Sequence, residues 1–310
     1  MFVRFLIARI LAAFAVVLGV VCLVFFLLHL VPGDPVEVML GESARPADKL
    51  ALERALGLDQ PLHVQLGRYL TSLSRFDLGT SLYSKRPIRD LLLERLPATV
   101  ELGVTALVAA LLLAVPLGIL AAVKKGTAWD AGAMGIALFG VSIPNFWMGP
   151  MLILVGALWL GWFPVSGREG VTSLVLPALT LGTALAAILS RMIRSAMLEV
   201  MNEDFMRTAR GKGLAERTVI LRHGLRNVLL PVITLVGLQL GALLSGAVIT
   251  ETVFSWPGIG SLVVEAIHRR DYPVVQATVL CISASYVMLN VLTDLAYAWI
   301  DPRVRTGAQP

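Results

Sequence analysis

An all-α protein that crosses a membrane six times is the fold class this sequence predicts, from its composition, the length of its apolar runs and the sidedness of its charge. Of the 310 residues 57% are hydrophobic and 15% charged, whereas soluble domains carry about 45–50% apolar and about 25% charged residues. A hydrocarbon core about 30 Å thick is crossed by about 20 apolar residues in a helix. Six stretches are that long: Ile10–Val31, Pro97–Val123, Ala131–Leu160, Val171–Ser190, Val228–Thr250 and Pro273–Ile300. With the N-terminus inside, one side holds 14 of the 26 Lys and Arg and a net charge of +7, and the other side −2. Basic loops stay in the cytoplasm, so both termini are expected there.

The first run exceeds the roughly 7–15 residues of a signal core and no small-residue cleavage site follows, so it reads as a retained helix. Residues 32–96 then form an outer segment too long for a simple connection. Leu50, Leu52 and Leu56 alternate with Asp48, Lys49, Glu53 and Arg54 in an amphipathic stretch at Ala47–Leu56, and a second helix is expected near Val64–Leu73. Gly33-Asp34-Pro35 and Gly57-Leu58-Asp59-Gln60-Pro61 punctuate the segment. A helical cap on the membrane and a docking element for an outer partner both suit this pattern.

In the third span Pro144 and Pro150 interrupt the helix, with Ser142 and Asn145 beside the break. Freed carbonyls must be satisfied by protein or water rather than lipid, so Ser142 and Asn145 are candidates for a translocation pathway. In the fifth span Gln239 and Ser245 lie among Gly237, Gly241 and Gly246. They are pathway candidates too, although interhelical packing would explain them equally. Glu251, Phe254, Trp256, Pro257 and Gly258 follow, leading into an amphipathic stretch at Ser261–His268. An outer gate is one reading; interfacial anchoring by Trp256 and Tyr272 is the other.

Several activities are excluded. The four histidines are scattered, Cys22 and Cys281 sit in separate apolar runs, and the sole Gly-Lys pair, Gly211-Lys212, is followed by Gly213 with Met206 where a phosphate loop needs glycine. Neither a catalytic constellation, a metal site nor an ATP site of that kind is expected. His29, Glu101 and Asp294 lie toward helix ends, leaving the span centres without the charges an ion-coupled carrier uses. Energy for uphill transport would come from a partner. The basic stretch 191–226 is a positive-inside loop rather than a nucleic-acid surface.

That loop, 195–227, holds Phe205, Met206 and Ala209 on one helical face, a break at Gly211 and Gly213, and a second helix with Leu221, Leu225, Arg222 and Arg226. A surface helix pair resting on anionic headgroups is the plain alternative to a partner contact. The run Glu203-Asp204-Phe205-Met206-Arg207-Thr208-Ala209-Arg210-Gly211-Lys212-Gly213-Leu214, with Arg222-His223-Gly224-Leu225-Arg226-Asn227 and Leu230-Pro231, resembles the coupling loop of binding-protein-dependent ABC importer permeases of the dipeptide/oligopeptide/nickel branch. Further blocks match in order: Val31-Pro32-Gly33-Asp34-Pro35, Leu56-Gly57-Leu58-Asp59-Gln60-Pro61-Leu62, Asp77-Leu78-Gly79, Leu96-Pro97-Ala98-Thr99, Phe254-Ser255-Trp256-Pro257-Gly258-Ile259-Gly260, Arg270-Asp271-Tyr272-Pro273 and Asp301-Pro302-Arg303. Arg207 and Thr208 replace the Glu-Ala of the broad superfamily pattern, leaving Ala209 and Gly213 in register.

The resemblance implies a type I ABC importer permease fold in a bacterial or archaeal inner membrane. It implies a non-enzymatic subunit without cofactor of its own, ATP and Mg²⁺ being bound by two cytoplasmic ATPases. A second homologous permease and an extracytoplasmic solute-binding protein would complete the complex. Residues 1–31 would hold the tail and first span, 32–96 the periplasmic segment and 97–310 a core of five helices. Short peptides are the first expected substrate, a nickel or metal chelate the second and glutathione the third. A non-transporting membrane scaffold is the alternative of another class.

Overall fold

A computed structural model describes the backbone of residues 2–30, 36, 40 and 45–300, with side-chain surroundings at 2–6, 8, 10, 28, 55, 56, 230 and 294–300 left outside it. The blocks Val31–Pro35 and Asp301–Arg303, and the side chains of Leu230 and Asp294, therefore lie outside the described residues. Every described element is helical except a single antiparallel bridge between Thr80 and Pro87.

The chain divides into two compact units, one built from Val100–Trp256 with the chain from Leu289, the other from Phe2–Thr99 with Pro257–Met288. In chain order the helices are α1 (Phe2–Leu30), α2 (Pro46–Leu56), α3 (Leu62–Ser74), α4 (Ile88–Val123), α5 (Ala128–Ser142), α6 (Asn145–Leu152), α7 (Val171–Val200), α8 (Asp204–Gly211), α9 (Glu216–Thr218), α10 (Leu225–Val253), α11 (Ile259–His268) and α12 (Tyr272–Ile300). Segments Ile153–Trp159 and Val219–Gly224 are π-helical.

Four helices, at 88–123, 171–200, 231–253 and 272–293, are long and apolar enough to cross a membrane, and a bent pair, α5 with α6 and its π-helical extension, makes a fifth. The sixth expected span falls on α1, whose apolar stretch runs over Leu11–Leu27.

In the first unit α7 is the central helix, with 61% of its apolar window buried against 33% for α4. Its packing follows from small residues. On α4, Leu102, Ala106, Ala110 and Ala114 repeat every four residues and are fully buried, whereas Val100, Val104, Val108 and Leu112 repeat along an exposed ridge. Alanines at that spacing let backbones approach. A methyl group added at Gly182 of α7 would come within 2.7 Å of the Ala106 carbonyl oxygen.

The third span is not straight. Pro144 disfavours helical geometry in the residue before it, and Ile143 is extended at φ −93°, ψ 120°. α5 ends at Ser142 and α6 begins at Asn145, bent by 107°. Each arm is 15 residues, about 22 Å at 1.5 Å per residue and short of a bilayer by itself.

In the second unit, α2 and α3 match the two helices expected in the outer segment. Gly57, left-handed at φ 69°, ends α2 by donating its N–H to the Arg54 carbonyl, while the Leu58 N–H reaches Glu53. The Gln65 amide donates to the Leu58 and Gln60 carbonyls, holding the turn against α3.

Candidate functional site

The loop between α7 and α10 folds around a small core of its own. Met206 and Val219 are fully buried and Ala209 is 6% exposed, with Val200 and Met201 packed beside them. Gly224 is buried where a methyl group would lie 3.1 Å from the Met197 sulfur and 3.3 Å from the Met206 methyl. The Met206 and Ala209 face of α8 thus turns inward, onto Val219 and the end of α7. Phe205 does not share it and stands 41% exposed.

A small side chain at Ala209 fits this packing, since it meets Met206 and Val219 rather than solvent.

The break after α8 is set by Gly213, left-handed at φ 74° and donating its N–H to the Arg210 carbonyl. Gly211 is the last residue of α8, and Lys212 closes the helix by donating to Thr208. Across the turn Arg210 grips Glu216 with two nitrogens, at 3.1 and 2.9 Å. That guanidinium holds the Glu216 carboxyl below its usual value, and the carboxylate raises Arg210 in return. Arg207 reaches Asp204 at 3.4 Å, with both side chains in solvent. Asp204, Thr208, Gly211, Lys212, Arg222 and Arg226 are exposed. The outer surface is therefore polar and basic over an apolar centre.

Of the pathway candidates, Ser142 and Asn145 flank the break in the third span. Asn145 opens α6, and a methyl group at Gly246 of α10 would sit 3.1 Å from its amide nitrogen and 2.8 Å from Leu181. Gln239 is seven residues before Gly246, two helical turns along the same face, and is half-buried. Ser245 is exposed, its hydroxyl donating to the Gly241 carbonyl, and Ser142 likewise donates to Leu138. The structure thus brings Asn145 to α10, with the two serines bonded within their own helices.

The stretch expected at an outer gate is enclosed. Glu251 and Trp256 are fully buried and Phe254 is 1% exposed, so Trp256 is no interfacial anchor. Phe254 accepts a hydrogen bond from the Gly167 N–H, and the Arg168 guanidinium lies 5.8 Å from the Trp256 ring centre while pairing with Glu101 at 2.6 Å. Pro257 is half-buried; Gly258 is buried and starts α11, exchanging hydrogen bonds with Ser261.

One acidic residue escaped the sequence reading. Asp271, 3% exposed, accepts hydrogen bonds from the Ser81 hydroxyl and the backbone N–H groups of Leu82 and Tyr83, tying the turn at 79–88 to the head of α12. Arg269 stacks over the Tyr83 ring at 4.1 Å and pairs with Glu265. An Asp two residues before a proline reads as a helix cap, and no sequence pattern points from it to residues 190 positions away. Among the described residues no three His, Cys, Asp or Glu are grouped to hold a metal ion.

These features define a polytopic membrane protein with a charged loop, folded on an apolar core, between two of its spans. The chain belongs to the binding-protein-dependent transport system inner membrane components: that family matches residues 114–306, and the N-terminal membrane component of the same systems matches residues 1–103. It is 43% identical to the glutathione transport system permease protein GsiC of Salmonella paratyphi A, over 97% of this chain and 99% of the relative. It is 41% identical to the dipeptide transport system permease protein DppB of Escherichia coli K12, over 97% and 98%. A DppB of Alkalihalophilus pseudofirmus is 41% identical over 96% and 98%. The chain is thus an inner-membrane transport permease, as the resemblance in its loop implied.

Proposed function

We propose that this chain is the permease subunit of an ATP-driven importer that passes short peptides handed over by a solute-binding protein. The observation that carries this is near-full-length identity of 41–43% to permeases named for dipeptide and for glutathione transport. Glutathione is itself a small peptide, so one substrate class covers both. The pathway candidates are neutral amides and hydroxyls, suited to peptide groups.

In this assignment Asp204–Gly213, with Arg222 and Arg226, faces an ATPase that holds the ATP and Mg²⁺, and this chain does no chemistry itself. A second homologous permease and a second ATPase complete the complex. Residues 1–31 form the first span, 32–96 face the binding protein, and 97–310 form the core with the loop 195–227 in the cytoplasm. Glu251, Phe254, Trp256, Pro257 and Gly258 act as a packed outer plug. Closure of the ATPases would displace the loop as one body, because its core is continuous with the end of α7, and bias the helices between two states.

The test is uptake into proteoliposomes holding the complex of this chain with its partner permease and ATPases, plus the binding protein. Labelled dipeptides and glutathione should accumulate only with ATP inside the compartment that holds the ATPases. Binding of partners without ATP-dependent flux of either would leave a membrane scaffold instead.

A further inference from the structure

The Arg194 guanidinium on α7 grips Asp130 on α5 through two hydrogen bonds, Nε to Oδ1 at 2.7 Å and a terminal nitrogen to Oδ2 at 2.8 Å. The Gly126 N–H donates to the same carboxylate at 3.0 Å, fixing the tight turn in which Gly126 is left-handed at φ 76°. Asp130 is 7% exposed. A two-point fork of this kind sets orientation as well as distance.

Its place in the fold gives it a role. One turn beyond Arg194, Met197 is buried against Gly224 and Met206, inside the core of the loop. One residue before it, Ile193 abuts Gly118 of α4, where an added methyl group would come within 2.7 Å. Residues 193–197 of α7 therefore touch α4, α5 and the loop core within about one helical turn. At the other end of α5, 12 residues past Asp130, lies Ser142 and the break that precedes Asn145. α5 is a rod of about 22 Å, held at its start by the fork and packed near its other end through Gly140, where an added methyl group would come within 3.3 Å of the Thr183 carbonyl oxygen; beyond it Pro144 interrupts the helical hydrogen bonding.

We infer that Arg194 and Asp130 are positioning residues that carry loop motion into the broken helix: displacement of the loop core moves α7 at Met197, the fork makes the start of α5 move with it in fixed orientation, and α5 passes the shift through the extended Ile143 to Asn145, which lies against Gly246. The inference rests on the loop being the ATPase contact. Without the fork, α5 follows α7 only through apolar packing such as that of Gly140 against Thr183 and Ala187, which does not fix the orientation of its start.

The experiment measures solute taken up per ATP hydrolysed, in proteoliposomes holding the whole complex and its binding protein with a labelled dipeptide. Asp130→Asn and Arg194→Asp should each lower that ratio by about tenfold, the scale of a single coupling between sites, while ATP hydrolysis continues. Arg194→Lys, one charge without the fork, should fall between those variants and wild type. The exchange Asp130→Arg with Arg194→Asp should recover a large part of the ratio. An unchanged ratio in the single variants overturns the inference, and so does parallel loss of uptake and hydrolysis that the exchange does not rescue, which marks a purely structural pair. Absence of ATP-dependent dipeptide uptake by wild type counts instead against the importer assignment.

Discussion

The loop at 204–226 and the stretch at 251–260 both set glycines and one or two aromatics between apolar helices, with eight charged residues in the loop and the single Glu251 in the stretch. In the structure they are opposites. The loop keeps Phe205, Arg207, Lys212, Arg222 and Arg226 in solvent over a core of Met206, Ala209 and Val219, whereas Phe254, Trp256 and Glu251 are almost wholly enclosed. Enclosure spends the aromatic area on the chain's own stability, while exposure keeps side chains available to another molecule. The contrast assigns the two regions different failure modes.

Trp256→Ala should test this most severely. Emptying a fully buried indole site costs about 3–5 kcal/mol, so the variant should unfold at markedly lower temperature in detergent and accumulate poorly. Trp256 variants of normal thermal stability with altered uptake would place the stretch beside the loop, as a moving part.

Ala209→Trp is the matching change in the loop. Overpacking a filled core costs about 1–3 kcal/mol, here where α8 and the π-helical segment at 219–224 meet the end of α7. The spans should still insert and melt near the wild-type temperature, while copurification of ATPases and uptake are lost. If ATPases bind the variant normally, the loop core is not what shapes their contact.

A smaller effect is expected at Gly213, whose left-handed conformation costs a side chain about 1–2 kcal/mol. Gly213→Ala should loosen the turn after α8, seen as faster hydrogen exchange across 208–218 and reduced uptake. Gly258→Ala has no such conformational cost, because its φ of −105° is open to any residue, and exchange across α11 should change less.

The smallest effect belongs to the Arg210–Glu216 pair, exposed and worth under about 1 kcal/mol. Arg210 depresses the Glu216 pKa, so the ionised carboxylate is the form the folded loop favours. Its stabilisation is present above the ordinary carboxylate range and is lost as pH falls through the depressed value. Protection from hydrogen exchange across 208–218, taken relative to the intrinsic amide rate at each pH, should fall slightly on acidification in wild type, and Glu216→Gln should remove that response.

How far the sequence could be read follows from the range of the forces concerned. Lipid demands long apolar runs, so the spans at 97–123, 171–190, 228–250 and 273–300 were legible, as were α2, α3 and α11 from their amphipathic spacing; the helices run further, α4 starting at Ile88 inside the stretch read as the outer segment. Pro144 marked the break in the third span because its missing N–H acts on the adjacent turn. Gly213 announced the end of α8 for an equally local reason. The loop's charged pattern was distinctive enough to carry the family resemblance.

The angle of 107°, the inward face of Ala209, the burial of Trp256, the three donors around Asp271 and the fork between Arg194 and Asp130 were decided by tertiary structure. Each depends on which element comes to lie alongside, and those partners stand tens to hundreds of residues away. Sequence periodicity reports which side of a helix is apolar or polar. It does not report whether a carboxylate on that side will meet water, a backbone N–H or an arginine, because that choice is made by packing.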